Sequence, residues 1–511
     1  MLMQSNWTAL MSSDNRSFTV LKFGGTSVAD AGNWRRIARM VRDARAQAEH
    51  PVLVCSAVAG VTDRLERLVA VIAVNKDPSG VLVEIERLHS RLGAELGVDA
   101  VAVLRSELAV LDDLATSGIT DPSAKWQAQV LSMGELMSTR LAAGWLESTG
   151  LRARWVDARG LLRARRHSGE PALSAYLSAE CDYAPSAETQ ARLRSEEVDV
   201  TITQGFIASN CNGETVLLGR GGSDTSAAYV AAILEADRLE VWTDVPGLFT
   251  SDPRHAATAR LVPRVTYDEA AVLGSLGAKV LHPRCLPPLT SANIPLHIRW
   301  TRHPEVAGTV INGGTATPGV RGVTARDKLC LVVMRRPRRW QPVGFMASVA
   351  SCFERHQISM DLVASSTSEI RATIDLAANP SAAGGLSKLM ADLGLVCEPE
   401  IHREVMCVSI VGTAISSALE HVSECLSLFT EPTIHLVTHA ADDSHLSFVL
   451  DRTLGPALVA AVHDALFAPG RGSVSLGARW SSLQAAPEGK LSPAARAVLR
   501  PLSSPPMQAA P

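Results

Sequence analysis

The sequence has little of what marks several specialised classes of protein. Its nine cysteines include no C-x-x-C pair, and no histidine cluster at zinc spacing accompanies them. We therefore expect reduced thiols rather than a disulfide framework or a structural zinc site. The formal net charge is only −3, which predicts no general attraction to nucleic acid or to anionic lipid.

Targeting and membrane patterns are also missing. The first 17 residues lack a basic stretch followed by an apolar one, and no uninterrupted apolar run reaches about 18 residues. We therefore expect no secretory signal, no membrane span and a cytoplasmic location. The most basic run is Arg335-Arg336-Pro337-Arg338-Arg339. It is short, and a solvated loop explains it better than a contact with nucleic acid.

What is present describes an ordinary globular protein. Of the 511 residues, 46% are apolar and 20% are charged, which is typical of folded domains. A chain of this length is too long for one hydrophobic core. We therefore expect about two to four domains.

Strand-like and helical segments alternate over roughly residues 17–312. Residues 51–55 are continuously apolar, which is typical of a strand buried on both faces of a parallel sheet. A long helical region is expected from about residue 63 to 150. Further strands are expected at 18–23, 154–157, 199–203, 238–242 and 295–299. This alternation predicts an α/β fold.

The order of the expected strands and helices changes after Gly313-Gly314. Two copies of a βαββαβ order follow in about 150 residues and predict a pair of small ligand-sensing modules. The last strand, at 473–476, could complete either module, so the pairing between the copies stays open. Residues from 485 onward are rich in Pro, Ala and Ser, which predicts a flexible tail or an unused linker.

A glycine turn follows the first strand, in the run Lys22-Phe23-Gly24-Gly25-Thr26-Ser27. Glycines at the junction of a strand and a helix let the backbone approach a phosphate group, and the helix N-terminus favours its charge. Lys22 would add a positive charge near the β- and γ-phosphates. The run is not a Walker loop, and taken alone it also fits a plain tight turn.

A second glycine turn, Gly219-Arg220-Gly221-Gly222-Ser223-Asp224, precedes a helix with small side chains. Arg220 can form a bidentate pair with a carboxylate. Asp224 can orient Lys22 or a Mg²⁺ ion, although capping the helix is an alternative role. Two such turns in one α/β domain are harder to explain as plain turns than either is alone.

Two further motifs come later in this half. Residues 242–249 (WTDVPGLF) follow another expected strand, which is where ligands bind in such sheets. Residues 277–283 (GAKVLHP) contain a second lysine, Lys279. A lone helical lysine is usually solvated, so Lys279 gains weight only from the other motifs.

The ordered motifs KFGGTSV (22–28), Gly134-Glu135, TQGFI (203–207), GRGGSD (219–224), WTDVPG (242–247) and GAKVLHP (277–283) resemble those of aspartate kinases, members of the amino-acid kinase family. The likeness spans about residues 18–312, and the paired repeats resemble the ACT modules of the same enzymes. It implies α/β architecture with an amino-acid kinase fold, a mainly parallel sheet covered by helices, followed by two α+β ACT modules. The implied limits are an N-terminal extension at 1–17, the catalytic domain at 18–313, ACT modules at 326–402 and 403–480, and a tail at 481–511.

The resemblance also implies roles for individual residues. It implies that ATP, with Mg²⁺ held mainly through the nucleotide and no firm metal ligand in the protein, contacts Lys22, Phe23, Gly24, Gly25, Thr243, Asp244, Phe249, Arg254, Lys279 and Val280. It implies that aspartate contacts Ser56, Thr62, Glu135, Arg220, Gly221, Gly222 and Ser223. The expected catalytic residues are Lys22, Asp224 and Lys279. Phe249 stands where many relatives have Tyr, so a hydroxyl contact to the nucleotide would be lost.

Regulation is implied by the ACT modules. Residues of the first module resemble the segments with which lysine-sensitive relatives bind their effector: Phe345, Met346, Ser359, Met360 and Asp361. Lysine is the first choice of effector, and threonine or no effector are the alternatives. A homodimer formed through the ACT modules is expected.

Other readings of the sequence stay open at this point. N-acetylglutamate kinase, glutamate 5-kinase and uridylate kinase share glycine turns, but they usually lack paired ACT modules. A catalytically inactive amino-acid sensor is the alternative from another class. The motifs also resemble the kinase half of fused aspartate kinase–diaminopimelate decarboxylases, which points to a role in lysine biosynthesis.

Overall fold

The computed structural model describes residues 17–118, 122–167, 169–195, 197–278, 280–336, 343–376, 379, 382–418, 423, 434–468 and 475–484. Within these ranges, every helix is too short or too polar to cross a membrane. The chain forms two compact units. The first contains residues up to Gly247 and those from Val280 to Gly313, and the second contains those from Leu248 to 278 and those from Gly314 to 484.

The described strands and helices are as follows. The strands are β1 (Ser17–Phe23), β2 (Glu49–Cys55), β3 (Ala153–Trp155), β4 (Val200–Gln204), β5 (Ile207–Ser209), β6 (Thr215–Leu217), β7 (Arg238–Thr243), β8 (Arg264–Thr266), β9 (Leu296–Trp300), β10 (Thr309–Asn312), β11 (Gly319–Arg335), β12 (Val363–Ser365), β13 (Glu369–Asp375), β14 (Glu398–Thr413), β15 (Ile434–His439) and β16 (His445–Asp451). The helices are α1 (Ala31–Ala46), α2 (Val61–Ala73), α3 (Ser79–Leu96), α4 (Ala100–Val103), α5 (Arg105–Thr116), α6 (Ala124–Ser148), α7 (Ala172–Leu177), α8 (Ala187–Leu193), α9 (Gly222–Leu234), α10 (Tyr267–Ser275), α11 (Leu286–Ala292), α12 (Phe345–Arg355), α13 (Ala382–Leu393), α14 (Gly455–Leu466) and α15 (Trp480–Gln484).

The first unit is built on a sheet whose strands lie in the order β3–β4–β2–β1–β7–β9–β10. The neighbours are parallel except for β10, which runs antiparallel to β9. Every residue of β2 is buried, as its continuous apolar run predicts. Because β1 lies between β2 and β7, the glycine turn after β1 is at the carboxyl edge of the sheet, where such folds bind ligands.

The second unit is built on a six-stranded antiparallel sheet in the order β12–β13–β11–β14–β16–β15. Strands β11 and β14 are long and pair along most of their length. Helices α12 and α13 cover one part of the sheet around Cys330, Val332 and Met334. Helix α14 packs on another part, around Val323 and Val408. The fold class predicted from the sequence is thus present: α/β in the first unit and α+β in the second.

The long strands join the two predicted modules in one sheet. Residues 319–325 precede the predicted first module, yet they pair with residues 408–413 of the second. Residues 398–402, at the end of the predicted first module, pair with residues 331–335 of that module, and β14 then continues into the second. Ser475 and Leu476 are not in a strand, and 473–474 lie outside the described residues. The predicted limits at 326 and 402/403 fall within β11 and β14, and the domain limits as a whole stay predictions.

Candidate active site

Lys22 and Asp224 form a buried ion pair. The Lys22 Nζ lies 2.6 Å from the Asp224 Oδ1, and the two side chains are only 11% and 13% exposed. Lys22 is at the end of β1, and Asp224 is in the first turn of α9. A lysine held this way has a fixed position and direction, because leaving it unpaired in a buried site would be costly. This ion pair is the geometry that one predicted role of Asp224, orienting Lys22, requires.

The first glycine turn is packed against the loop that follows β2. A Cβ atom at Gly25 would lie 2.9 Å from the Ala57 carbonyl oxygen. The Ala59 N–H donates to the Gly25 carbonyl oxygen at 3.2 Å, and the Ser56 N–H donates to the Phe23 carbonyl oxygen at 3.1 Å. Close backbone approach therefore requires glycine at position 25.

Glu135 of α6 faces the same loop. It is buried, and its Oε1 accepts a hydrogen bond of 3.2 Å from the Ala57 N–H. Its Oε2 is buried and has no hydrogen-bond partner among the described residues. Burial raises the pKa of Glu135 to about 8, against the lowering effect of the Ala57 hydrogen bond. A buried carboxylate oxygen without a partner suits a cationic ligand.

The second glycine turn is shaped by close contacts. Gly219 and Gly221 have φ of +70° and +66°, which glycine adopts at little cost. A Cβ atom at Gly221 would overlap the Cβ of His282, and one at Gly205 would lie 2.6 Å from the Cβ of Ser223. The turn that carries the predicted aspartate-binding residues thus lies against His282.

His282 is a neighbour of the site to which the sequence reasoning gave no role. Burial and nearby Arg284 lower its pKa, against the effect of Asp224. Its Nδ1 accepts a hydrogen bond of 3.3 Å from the Arg284 N–H. His282 belongs to the GAKVLHP motif, and that motif is the sequence signal by which it could have been found.

The remaining predicted residues are found in both units. In the first unit, Thr62 and Val280 are half-buried, and the Thr243 hydroxyl donates to the exposed Asp244 carboxylate at 3.1 Å. In the second unit, the Phe249 ring packs edge-on against the Trp480 ring at 5.5 Å. There the Arg254 Nη2 lies 2.7 Å from the Asp252 Oδ2. Lys279 lies outside the described residues.

Metal ligands from the protein are not evident in the part of the chain that the structure describes. There, no group of three or more His, Cys, Asp or Glu side chains is arranged to hold a metal ion. Asp224, at the end of the second glycine turn, is already paired with Lys22.

Known proteins share this fold and these motifs. The family model described as "Amino acid kinase family" matches residues 17–299. The chain is 31% identical over 474 residues to the lysine-sensitive aspartokinase 3 of Escherichia coli strain K12, covering 88% of this chain and 99% of that protein. The chain belongs to the amino acid kinase family, among its aspartokinases. This confirms the resemblance inferred from the motifs and makes the chain a kinase rather than an inactive sensor.

Solved aspartokinase structures extend the match to three dimensions. The structure of E. coli aspartokinase III in complex with aspartate and ADP, in its R-state, matches with a TM-score of 0.77 at 31% identity, covering 88% of this chain and all of that one. The structure of E. coli aspartokinase III with lysine and aspartate, in its T-state, matches with a TM-score of 0.68 at 30% identity and 88% coverage of this chain. These matches confirm the predicted amino-acid kinase fold followed by ACT modules.

Proposed function

We propose that this aspartokinase transfers the γ-phosphate of ATP to the side-chain carboxylate of L-aspartate, giving 4-phospho-L-aspartate and ADP. This is the first step of the biosynthesis of lysine, threonine and methionine. The observation that carries the proposal is the buried Lys22–Asp224 pair between two glycine turns. The aspartate and ADP bound by the E. coli enzyme support the choice of substrates.

ATP would bind along the carboxyl edge of the first sheet. Lys22, with the backbone of Phe23, Gly24 and Gly25, would face the β- and γ-phosphates. Further contacts would come from Thr243, Asp244, Phe249, Arg254, Lys279 and Val280. Mg²⁺ would bind through the phosphates and supply charge neutralisation there.

Aspartate would be held at both of its charged ends. Arg220 would pair with the α-carboxylate, and the unpartnered Oε2 of Glu135 would accept from the α-ammonium. The loops of Ser56, Thr62 and Gly221 to Ser223 would enclose the substrate. This arrangement leaves the side-chain carboxylate directed toward the nucleotide.

The chemistry requires positioning rather than a base. The attacking carboxylate is already an anion, so the obstacle is its repulsion by the triphosphate. Lys22, oriented by Asp224, and Lys279 would offset the charge of the transferred group. One bond forms between the aspartate oxygen and the γ-phosphorus while the bond to the ADP oxygen breaks, with no phospho-enzyme.

Regulation through the first ACT module is the second part of the proposal. Ser359 donates from both its N–H and its hydroxyl to the Asn379 Oδ1, at 2.7 and 2.8 Å. The Asp361 carboxylate lies 2.6 Å from the Arg326 Nη2. An effector ammonium group would have to share Asp361 with Arg326. Phe345, Met346 and Met360 would supply apolar contacts, lysine is the first choice of effector, and a cytoplasmic homodimer formed through the ACT modules completes the proposal.

The test is turnover of ATP with L-aspartate, followed as ADP release. Lys22→Ala and Asp224→Ala should each lower kcat by at least about 10³-fold. Circular dichroism should show that both variants stay folded. Near-normal kcat in either variant would remove the role given to that residue, and no turnover by the wild-type protein would refute the proposed function.

A further inference from the structure

The segment formed by residues 248–262 carries Phe249 and Arg254, two of the proposed nucleotide contacts. Its most buried polar residue is Thr250, whose side chain is fully buried. The Thr250 carbonyl oxygen accepts a hydrogen bond of 2.7 Å from the Val323 N–H of β11. Within this second unit, the nucleotide segment is therefore joined directly to the sheet of the regulatory modules.

His463 of α14 is the side chain that meets Thr250. Only 1% of its surface is exposed. Its Nε2 lies 2.7 Å from the Thr250 Oγ1, and its Nδ1 lies 3.3 Å from the Thr258 Oγ1. Both ring nitrogens thus contact the nucleotide segment, one on each side of Arg254 in the sequence.

The partners of the two hydroxyl groups determine the direction of these bonds. The Thr258 hydroxyl donates to the Asp464 carboxylate, so it accepts from the Nδ1–H of His463. Burial lowers the pKa of His463, although Asp464 acts in the opposite direction. With the proton on Nδ1, the Nε2 of the ring accepts from the Thr250 hydroxyl. That hydroxyl in turn accepts from the Arg260 N–H at 3.0 Å.

The same segment is also held by residues near the end of the described chain. The Arg260 guanidinium donates to the carbonyl oxygens of Leu476 and Gly477 at 3.0 and 3.1 Å. The Trp480 ring packs on Phe249. Packing beneath α14 does not by itself require a histidine. Hydrogen bonds from both ring nitrogens of His463 to the two hydroxyl groups of this segment do.

We propose that His463 is a positioning residue for ATP: through Thr250 it fixes the segment that presents Phe249 and Arg254 to the nucleotide. The inference rests on the proposed function, because the nucleotide contacts are part of that proposal. It places a determinant of ATP affinity on a helix of the second regulatory module, outside all of the motifs that carry the resemblance.

Two amide substitutions separate the two contacts of the ring. The amide of His463→Gln can reach the position of Nε2 and keep the contact with Thr250, whereas the amide of His463→Asn reaches only the position of Nδ1. We expect His463→Asn to raise the KM for ATP by about tenfold while the KM for aspartate stays within about twofold. His463→Gln should keep both values within about twofold of wild type.

Thr250→Val and a core variant complete the test. Thr250→Val should reproduce the effect of His463→Asn, and the double variant should show no further increase. Val459→Ala, which removes volume from the core beneath α14, should lower the melting temperature without changing the ratio of the two KM values. Isothermal calorimetry with ADP checks the affinity independently of turnover.

The results of these measurements distinguish an error in the role of His463 from an error in the proposed function. If the wild-type chain turns over ATP and aspartate but His463→Asn leaves the KM for ATP unchanged, the positioning role is wrong. The same holds if both KM values rise together, or if Gln and Asn behave alike. If the wild-type chain itself shows no turnover, the proposed function fails first.

Discussion

Individual side chains at this site have properties that follow from burial. Glu135 is the clearest case, because its pKa of about 8 leaves much of it protonated near neutral pH. An α-ammonium group bound at its free oxygen would favour the carboxylate form. We therefore expect aspartate binding at pH 7 to release close to one proton. Calorimetry in buffers of different ionisation enthalpy measures this release, and Glu135→Gln should abolish it.

The same carboxyl group makes the stability of the ligand-free protein depend on pH. Its pKa is higher in the folded chain than the ordinary value of 4.5, so the folded state binds the extra proton between these two values. Stability from this group is complete below about pH 4.5 and is lost as pH rises through about 8. Urea unfolding across this pH range should show that the free energy of unfolding falls less with rising pH in Glu135→Gln than in the wild-type protein. An equal fall in the two proteins would contradict the raised pKa.

Gly25 tests the close approach of the first turn. In Gly25→Ala the new methyl group would meet the Ala57 carbonyl oxygen at 2.9 Å, so the turn beside Lys22 must shift. We expect kcat/KM to fall on the order of 10²-fold. Gly80→Ala in α3 is the matched control, because a Cβ atom there meets nothing within 4 Å. Equal activity of the two variants would show that the turn tolerates a side chain.

The sequence predicted much at this scale, but not everything. Lys22, Asp224 and Glu135 belong to sequence motifs, and the neighbouring residues in those motifs are enough to predict that these side chains bind charged ligands. The pKa of Glu135 could not be predicted, because it is set by burial in the folded chain and by a hydrogen bond from Ala57, 78 positions away. His463 is 213 positions from Thr250, and no local pattern relates the two.

At the scale of elements, a buried ion pair joins α10 to the long strand β11. The Arg321 Nε of β11 lies 2.9 Å from the Glu269 Oε1, and both side chains are almost fully buried. The Thr413 hydroxyl of β14 donates to the same oxygen at 2.7 Å. Arg321→Met should lower the free energy of unfolding by about 3–5 kcal/mol, because it leaves a buried carboxylate without its cation.

Urea unfolding followed by circular dichroism measures that loss. Adding Glu269→Gln to Arg321→Met should recover part of it, because the unpaired charge is then gone. Glutamine can also keep a hydrogen bond to the Thr266 N–H that begins α10. If the single and double variants are equally unstable, the loss comes from packing and not from charge.

The Arg326–Asp361 ion pair, between β11 and the loop before β12, tests the regulatory proposal. Asp361→Asn should raise the lysine concentration for half-inhibition by at least about tenfold, because an ammonium group loses its charged partner. The uninhibited kcat should change little. Asp392→Asn is the control, since Asp392 is paired with His356 in the same module. Unchanged inhibition in Asp361→Asn would remove Asp361 from the effector site.

For the molecule as a whole, the alternation of strands and helices and the repeated βαββαβ order were enough to predict an α/β domain followed by two α+β modules. The parallel sheet and the two antiparallel modules both follow from local periodicity. The sharing of strands could not be predicted in this way, because β11 reads as one strand of the first module until its partner at 407–413 is known. Register over such distances is decided by tertiary pairing, which leaves no local signal.

Strands that run through both modules also limit how such proteins can diversify. A crossover between two aspartokinase genes at residue 326 or 402 would join two halves of β11 or β14 from different parent proteins. The side-chain pairs between β11 and β14 would then have to be compatible across the two parents. A recombination point before 319 avoids this cut. A crossover before residue 319 would therefore transfer the two modules together, with their shared strands intact.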